Sequence, residues 1–250
     1  MELAMTVLQA IEQGLRPMSL TEIAAAADMG ASKAHRYLVS LCRVGLVAQS
    51  QRSGLYDLGP GMRRLGIEAL RRMDEVGLAT EYLPTLRDRT SHSVNLAAWG
   101  DNGPVIVRWD YGAYALPITV RVGATMPLLT SSVGRIYLAY LPRTMTDPVL
   151  GSQLALQGEA SPTSEEIEQI RTSVHERGLA VTSGGVIPGV ASVAAPVFPA
   201  GESIPLALAV ALPERLADDK TMTDIEYELL RITEEITADL GGAAGARSEA

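Results

Sequence analysis

Apolar and polar positions along the first sixty residues fall into three short helical stripes followed by two very short strands. Ala4, Val7, Leu8 and Ile11 recur at helical spacing and stop at Gly14, which predicts a first helix. Ser19 and Glu22 stand in the S-x-x-E spacing of a capping box, with Met18 and Ile23 placed as its hydrophobic staple, so an alanine-rich second helix is expected to start there. Gly30 is the expected turn. Ser32 is placed to cap a third helix in which Ala34, Leu38 and Leu41 recur at i, i+4 and i+7, while Lys33, Arg36, Ser40 and Arg43 share the opposite face. Gly45 suits a left-handed cap at the end of that helix. Beyond it, the apolar residues around Val47 and Tyr56 flank the polar run Gln49-Ser50-Gln51-Arg52-Ser53-Gly54, which predicts a hairpin with Arg52 at its tip. A helix pair around a turn is as often purely structural; the hairpin that follows makes the unit a winged helix-turn-helix.

Gly59-Pro60-Gly61 interrupts the pattern, and Met62, Leu65, Ala69 and Met73 then recur along a helix whose other face carries Arg63, Arg64, Glu68, Arg71 and Arg72. We read it as a linker helix. From Val76 the pattern changes to helices alternating with short strands. A helix is expected over residues 81–90 with Pro84 near its start, then strands over residues 94–99 and 105–109 joined by the hairpin turn Gly100-Asp101-Asn102-Gly103. A third strand is expected over residues 116–122, and a helix from Thr130 that stops at Pro142. Thr163 and Glu166 repeat the capping-box spacing ahead of Ile167, Ile170 and Val174, with Gly178 just past the helix end. Strands over residues 179–182, 193–198 and 206–212 follow, the last two separated by Ala200-Gly201-Glu202, and a final helix over 223–240 precedes a tail, 241–250, expected to be disordered. Hairpin-linked strands with helices between and after them make the fold class α+β. The expected division is a winged helix-turn-helix over residues 1–59, a linker helix over 60–75, and a second domain over 76–240.

Charge distribution sharpens this division. The 250-residue chain carries a net charge of -8, which by itself speaks against nucleic acid. Up to Met73, however, nine basic residues face six acidic ones, giving +3 and leaving -11 for the remainder. A mildly basic reader joined to an acidic domain presents only the reader to DNA. Cys42 is the sole cysteine, so no intrachain disulfide forms; its helical position beside Leu41 suggests a buried thiol in a reducing, cytoplasmic setting. No apolar run is long enough to span a membrane, and no membrane partner is expected.

Enzymatic chemistry finds little to stand on. His35, His92 and His175 have no metal-ligand spacing to one another, to Cys42 or to a carboxylate; no G-x-S-x-G elbow, P-loop or dinucleotide fingerprint is present, and Gly184-Gly185 is more often a turn than a phosphate cradle. Neither a metal nor a cofactor is expected. Ser131 and Ser132 open a predicted helix, where free amides and the positive end of the dipole suit an anion, though a plain helix cap explains them equally well.

Residues 19–58, including Ser32, His35-Arg36 and Gly45-Leu46-Val47, resemble the N-terminal domain of the IclR (isocitrate lyase regulator) family of bacterial transcription factors. The runs from Pro127 through Thr130-Ser131-Ser132-Val133-Gly134-Arg135, Gly178-Leu179-Ala180-Val181, and Pro188-Gly189-Val190 through Ala194-Ala195-Pro196-Val197-Phe198 resemble the signature segments of that family's effector-binding domain, so the likeness covers nearly the whole chain. It implies a GAF-like sheet with a small-molecule pocket bordered by the Ser131 loop, a linker helix that supports dimerisation, and assembly as a dimer or a dimer of dimers.

The same likeness marks departures: Ser192 stands where many members have Cys, Thr182 and Ser183 where an acid is common, and Ala209 and Ala211 where serines are frequent. Each lowers pocket charge or polarity, favouring a larger, more apolar ligand over a small hydroxy- or keto-acid. On the DNA side the expected contacts are Ser32, Lys33, His35 and Arg36 on the third helix, with Gln51 and Arg52 on the wing. On the effector side they are Trp99, Arg108, Ser131, Ser132, Tyr137, Ser183 and Ser192, with Trp109, Tyr111 and Tyr114 as further stacking walls and Arg121 as another charge partner. The resulting reading is a ligand-responsive, operator-binding regulator of catabolic or transport genes, answering to an aromatic or largely apolar carboxylic acid. A small-molecule-binding or catalytic domain whose winged helix makes protein contacts is the competing reading.

Overall fold

The computed structural model describes residues 2–14, 16–72, 74–116, 120–155, 162–201 and 203–242, without the side chains of 69–72. The chain divides into two compact units, Met1–Met73 and Asp74–Ala250.

In the first unit, α1 (Glu2–Gln13) buries Val7, Leu8 and Ile11 against α2 (Leu20–Ala26) and α3 (Ala31–Arg43). Both bonds of the Ser19 capping box form: Glu22 N donates to Ser19 Oγ at 3.3 Å and Ser19 N to Glu22 Oε2 at 2.8 Å. Met18 and Ile23 are buried together beneath it. The turn differs from the expectation in two details. Asp28, not Gly30, takes the left-handed conformation (φ +47°), which a short polar side chain tolerates. Gly30 itself is the extended N-cap of α3, so Ser32 sits inside the first helical turn and caps nothing.

At the other end of α3, Gly45 (φ +78°) lets the Leu46 and Gly45 amides reach back to the Leu41 and Cys42 carbonyls, each at 3.0 Å. The chain then enters the hairpin of β1 (Val47–Gln49) and β2 (Tyr56–Leu58). Two short strands are marginal alone; a backbone bridge between Met18 and Tyr56 adds a pairing on the other edge of β2. The Gly59-Pro60-Gly61 run leads straight into α4 (Pro60–Arg72), and a Cβ on Gly59 would lie 2.3 Å from the Gly45 carbonyl oxygen. Met62 packs on the core of its own unit while Leu65 is exposed; Ala69 and Met73 of the expected stripe lie outside the described side chains. Cys42 is half-buried rather than fully buried.

The second unit begins with α5 (Glu75–Glu81) and α6 (Leu83–Thr90) in place of one helix over 81–90, because Pro84 has no N–H to continue the ladder. A five-stranded antiparallel sheet follows, ordered β4-β3-β7-β6-β5. Its strands are β3 (Ser93–Gly100), β4 (Gly103–Asp110), β5 (Ala180–Ser183), β6 (Val190–Val197) and β7 (Leu206–Pro213). The stretch 116–122 contributes no strand among its described residues; past it the chain meets the edge of β4 at a Val105–Thr125 bridge, with bonds from Ile106 N to Ala124 O at 3.0 Å, from Gly123 N to Ile106 O at 2.8 Å and from Met126 N to Pro104 O at 2.7 Å.

The two faces of this sheet are chemically different. Val94, Leu96, Val193, Val197, Leu208, Val210 and Leu212 alternate onto the face covered by α6 and α10 (Asp219–Asp239). On the other face the register lines up Ala97 with Ala207, and Ala194 with Ala209, beneath α7 (Ser132–Tyr140). Small side chains there let α7 settle close to the sheet, and its Tyr137 hydroxyl donates to the Ala97 carbonyl at 2.8 Å.

Helix α8 (Arg143–Ala155), which carries Pro148, was not evident from the sequence pattern. Helix α9 (Ser164–Arg177) has the Thr163 capping box and a left-handed Gly178 at its end. Buried Arg171 donates to the Leu138 carbonyl and to Thr146 Oγ1, tying α9 to α7 and α8. Helix α10 starts at Asp219 rather than Thr223 because Asp218 caps it. Gly241 and Gly242 close α10, with Gly242 N bonded to Thr237 O at 2.8 Å; Glu202 and residues 243–250 of the expected turn and tail lie outside the described residues.

Candidate functional site

Two surfaces carry the functional side chains, one in each unit. In the first, α3 presents Ser32, Lys33, His35 and Arg36 to solvent on the side away from buried Ala34, Leu38 and Leu41. Gln51 and Arg52 are exposed at the wing tip. Lys33, Arg36, Arg43 and Arg52 make no ion pair among the described residues, so their charges are free for phosphate or base edges. By contrast Arg16 is engaged with Glu22 at 2.7 Å, and that bond, with those to Ser19, holds the Glu22 carboxyl at about 2.

In the second unit a cavity of about 650 Å³, its open mouth included, lies between the alanine face of the sheet and the start of α7. The sheet supplies Asn95, Trp109, Thr182, Ser192 and Ala211; α7 supplies Ser132 and Val133, and Ser131 caps it. Ile106, Leu116, Val120, Met126 and the segment from Gly185 through Val190 complete apolar walls, with Tyr111 at 6.1 Å from the Trp109 ring.

Among the described residues, no charged side chain lines the cavity. Its polar end is the start of α7, where the Ser132 and Val133 amides have no partner inside the helix. Ser131 Oγ is already committed, donating to Pro127 O at 2.6 Å and accepting from Gly134 N at 2.9 Å. Gly134 is required there, since a Cβ would sit 2.1 Å from the Pro127 carbonyl oxygen. Ser132 Oγ and Ser192 Oγ lie 2.8 Å apart, joining α7 to β6. Just outside, Arg135 donates to Leu129 O at 2.7 Å and Val181 O at 3.1 Å, clamping the loop before α7 onto β5; burial lowers its pKa.

Of the residues expected at the effector site, the cavity brings together Ser131, Ser132 and Ser192, with Trp109 and Tyr111 as walls. Others fall elsewhere, for reasons of strand geometry. Ser183 points to the opposite sheet face from Thr182 and bonds Glu214 at 2.5 Å. Arg108 likewise alternates away from Trp109; it is exposed, and Asp110 on the same face pairs with Arg87 at 3.3 Å. Arg121 is exposed. Trp99 shares the cavity face but lies near the hairpin end of β3, against Tyr137 at 5.5 Å. Tyr137 is fully buried in the core, where burial pushes its hydroxyl pKa up, and Tyr114 packs on His92 at 5.2 Å. Sequence reasoning missed Asn95, although a polar residue between Val94 and Leu96 at the inward position of a strand was a visible signal.

Among the described residues, no group of three or more His, Cys, Asp or Glu side chains could hold a metal ion, and no helix is long and apolar enough to cross a membrane. Comparison with known proteins matches residues 3–51 to the IclR helix-turn-helix domain and residues 67–238 to the bacterial transcriptional regulator IclR C-terminal domain. The HTH-type transcriptional regulator KdgR of Escherichia coli (strain K12) is 24% identical over 237 residues, covering 94% of this chain and 90% of that protein. The glycerol operon regulatory protein of Streptomyces griseus is 26% identical over 243 residues, covering 96% of each. The crystal structure of Pseudomonas aeruginosa HmgR superposes with a TM-score of 0.89 at 29% identity, covering 97% of this chain and 98% of that one. With both domains matched in order, and with relatives that are regulators rather than enzymes, the chain belongs to the IclR family of bacterial transcriptional regulators.

Proposed function

We propose that this regulator binds operator DNA as a dimer or a dimer of dimers and changes its affinity when an aromatic or largely apolar carboxylic acid enters the cavity beside α7. The observation that carries this is the cavity itself: apolar walls, and, among the described residues, no charged side chain and a helix start with free amides beside the Ser132–Ser192 hydroxyl pair. A small, highly charged acid would lose its hydration there and regain few hydrogen bonds, whereas an apolar body gains from burial while one carboxylate meets the helix dipole.

On the DNA side, Ser32, Lys33, His35 and Arg36 read the major groove, and Gln51 and Arg52 hold phosphate or the minor groove. Paired half-sites need a two-fold protein, and the exposed Leu65 of α4 offers apolar surface for the contact. A relative named for the glycerol operon supports a small set of catabolic or transport genes as the target. Calorimetry on the full chain with benzoates, aliphatic keto acids and uncharged aromatics tests the ligand class. Aromatic acids are expected to bind; tight binding of glyoxylate or pyruvate, with no response to any aromatic acid, overturns it.

A further inference from the structure

Two polar atoms of the cavity wall are buried without any partner among the described residues. Asn95, only 4% exposed, has no hydrogen bond to its Oδ1, and Trp109 has none from its Nε1. Buried polar groups of this kind cost stability unless something satisfies them. The two residues are direct partners in the β3–β4 register, so both side chains rise from the same sheet face, and both line the cavity. The bulge of this strand pair falls beyond them, between Leu96 and Ala97, and leaves their pairing intact.

The chemistry of the pair is specific. An indole N–H can only donate, and an amide oxygen can only accept. A ligand group that satisfies both must accept one hydrogen bond and donate another, which a hydroxyl does and a carbonyl, ether, halogen or ammonium does not. The pair also stands apart from the anion-suited end. Asn95 lies two strands across and two residues along from Ser192, a Cα separation of roughly 12 Å by strand spacing and rise. With side chains reaching in from both ends, that span suits one substituted ring rather than a two- or three-carbon acid.

We propose that the effector is a hydroxy-substituted apolar acid whose hydroxyl is held between Asn95 Oδ1 and Trp109 Nε1 while its carboxylate meets the start of α7. This rests on the reading of the cavity as an acid-binding effector site, and adds to it a second recognition point at the far end. Asn95 and Trp109 set specificity, because a site built to bond a hydroxyl leaves its own polar groups stranded when the hydroxyl is missing.

The test is isothermal calorimetry on the full-length protein with benzoate, phenylacetate and their 3- and 4-hydroxy derivatives, repeated with Asn95→Leu and Trp109→Phe. At least one hydroxy acid is expected to bind about tenfold or more tighter than its parent acid. In both variants that preference is expected to shrink, to within about twofold for Asn95→Leu. Removing a stranded oxygen also predicts that ligand-free Asn95→Leu unfolds at or above the wild-type temperature. Parent acids that bind as tightly as every hydroxy derivative overturn the hydroxyl reader and leave the acid-binding reading standing. A preference that persists undiminished in both variants overturns the assignment to these two side chains. Failure of every acid to bind removes both readings. Trp109→Phe keeps the test open if Asn95→Leu does not fold.

Discussion

His92, just before β3, is 5% exposed; its Nδ1 has no partner among the described residues, and Tyr114 lies tilted against its ring. Burial lowers its pKa from the ordinary 6.5, so the folded chain holds this ring neutral where the unfolded chain protonates it. The sign follows from linkage: near and below 6.5 the unfolded state binds more protons, so the folded state is favoured fully above that value and loses ground as pH falls through it, until the lowered folded pKa is reached. Thermal unfolding followed from neutral to mildly acidic buffer is expected to show this loss in the wild type and a flatter profile in His92→Phe. Identical profiles for the two would show that His92 is protonated as readily in the fold as outside it.

At the scale of elements, the proposed reading gives α3 and the wing separate shares in binding DNA. Arg36 projects from the helix face beside Lys33, so Arg36→Ala is expected to weaken binding to the operator by about 1–3 kcal/mol and to relax specificity. Arg52 sits on the wing tip with no ion pair among the described residues; Arg52→Ala is expected to lower affinity for all sequences alike and to reduce the salt slope by about one. Fluorescence anisotropy with specific and scrambled duplexes at two salt concentrations separates the two, and an unchanged operator affinity for Arg36→Ala would move the recognition surface off this face.

The same elements show what the chain made legible. Ser19–Glu22 and Thr163–Glu166 announce their helices because capping is a local bond between neighbours in sequence. The β3–β4 hairpin is legible because its turn is local too. Helix α8 was hidden by Pro148 and a weak amphipathic pattern. Ser183 was chosen over Thr182 because the inward face of a strand depends on which strand lies beside it, and a one-residue error in phase exchanges the faces. Asn95 and Trp109 become partners only through register, which no single segment encodes.

For the whole molecule, the proposed assembly predicts that light scattering at micromolar concentration gives a mass at least twice the 26.6 kDa of one chain; a monomer would refute it. If effector and operator each favour one arrangement of that assembly, the factor by which ligand changes operator affinity must equal the factor by which operator changes ligand affinity. Calorimetry with and without duplex checks that equality.

The unlike faces of the central sheet carry a consequence for how such a regulator can diverge. Large branched residues against α10 and α6 hold the domain together, and Ala194, Ala207 and Ala209 fix how near α7 comes. Asn95 and Thr182 sit at the cavity end of the same face, and neither forms part of the alanine seat under α7. If the cavity is the effector site, a lineage can be retuned to a new ligand by exchanging these few side chains while the packed scaffold is inherited unchanged.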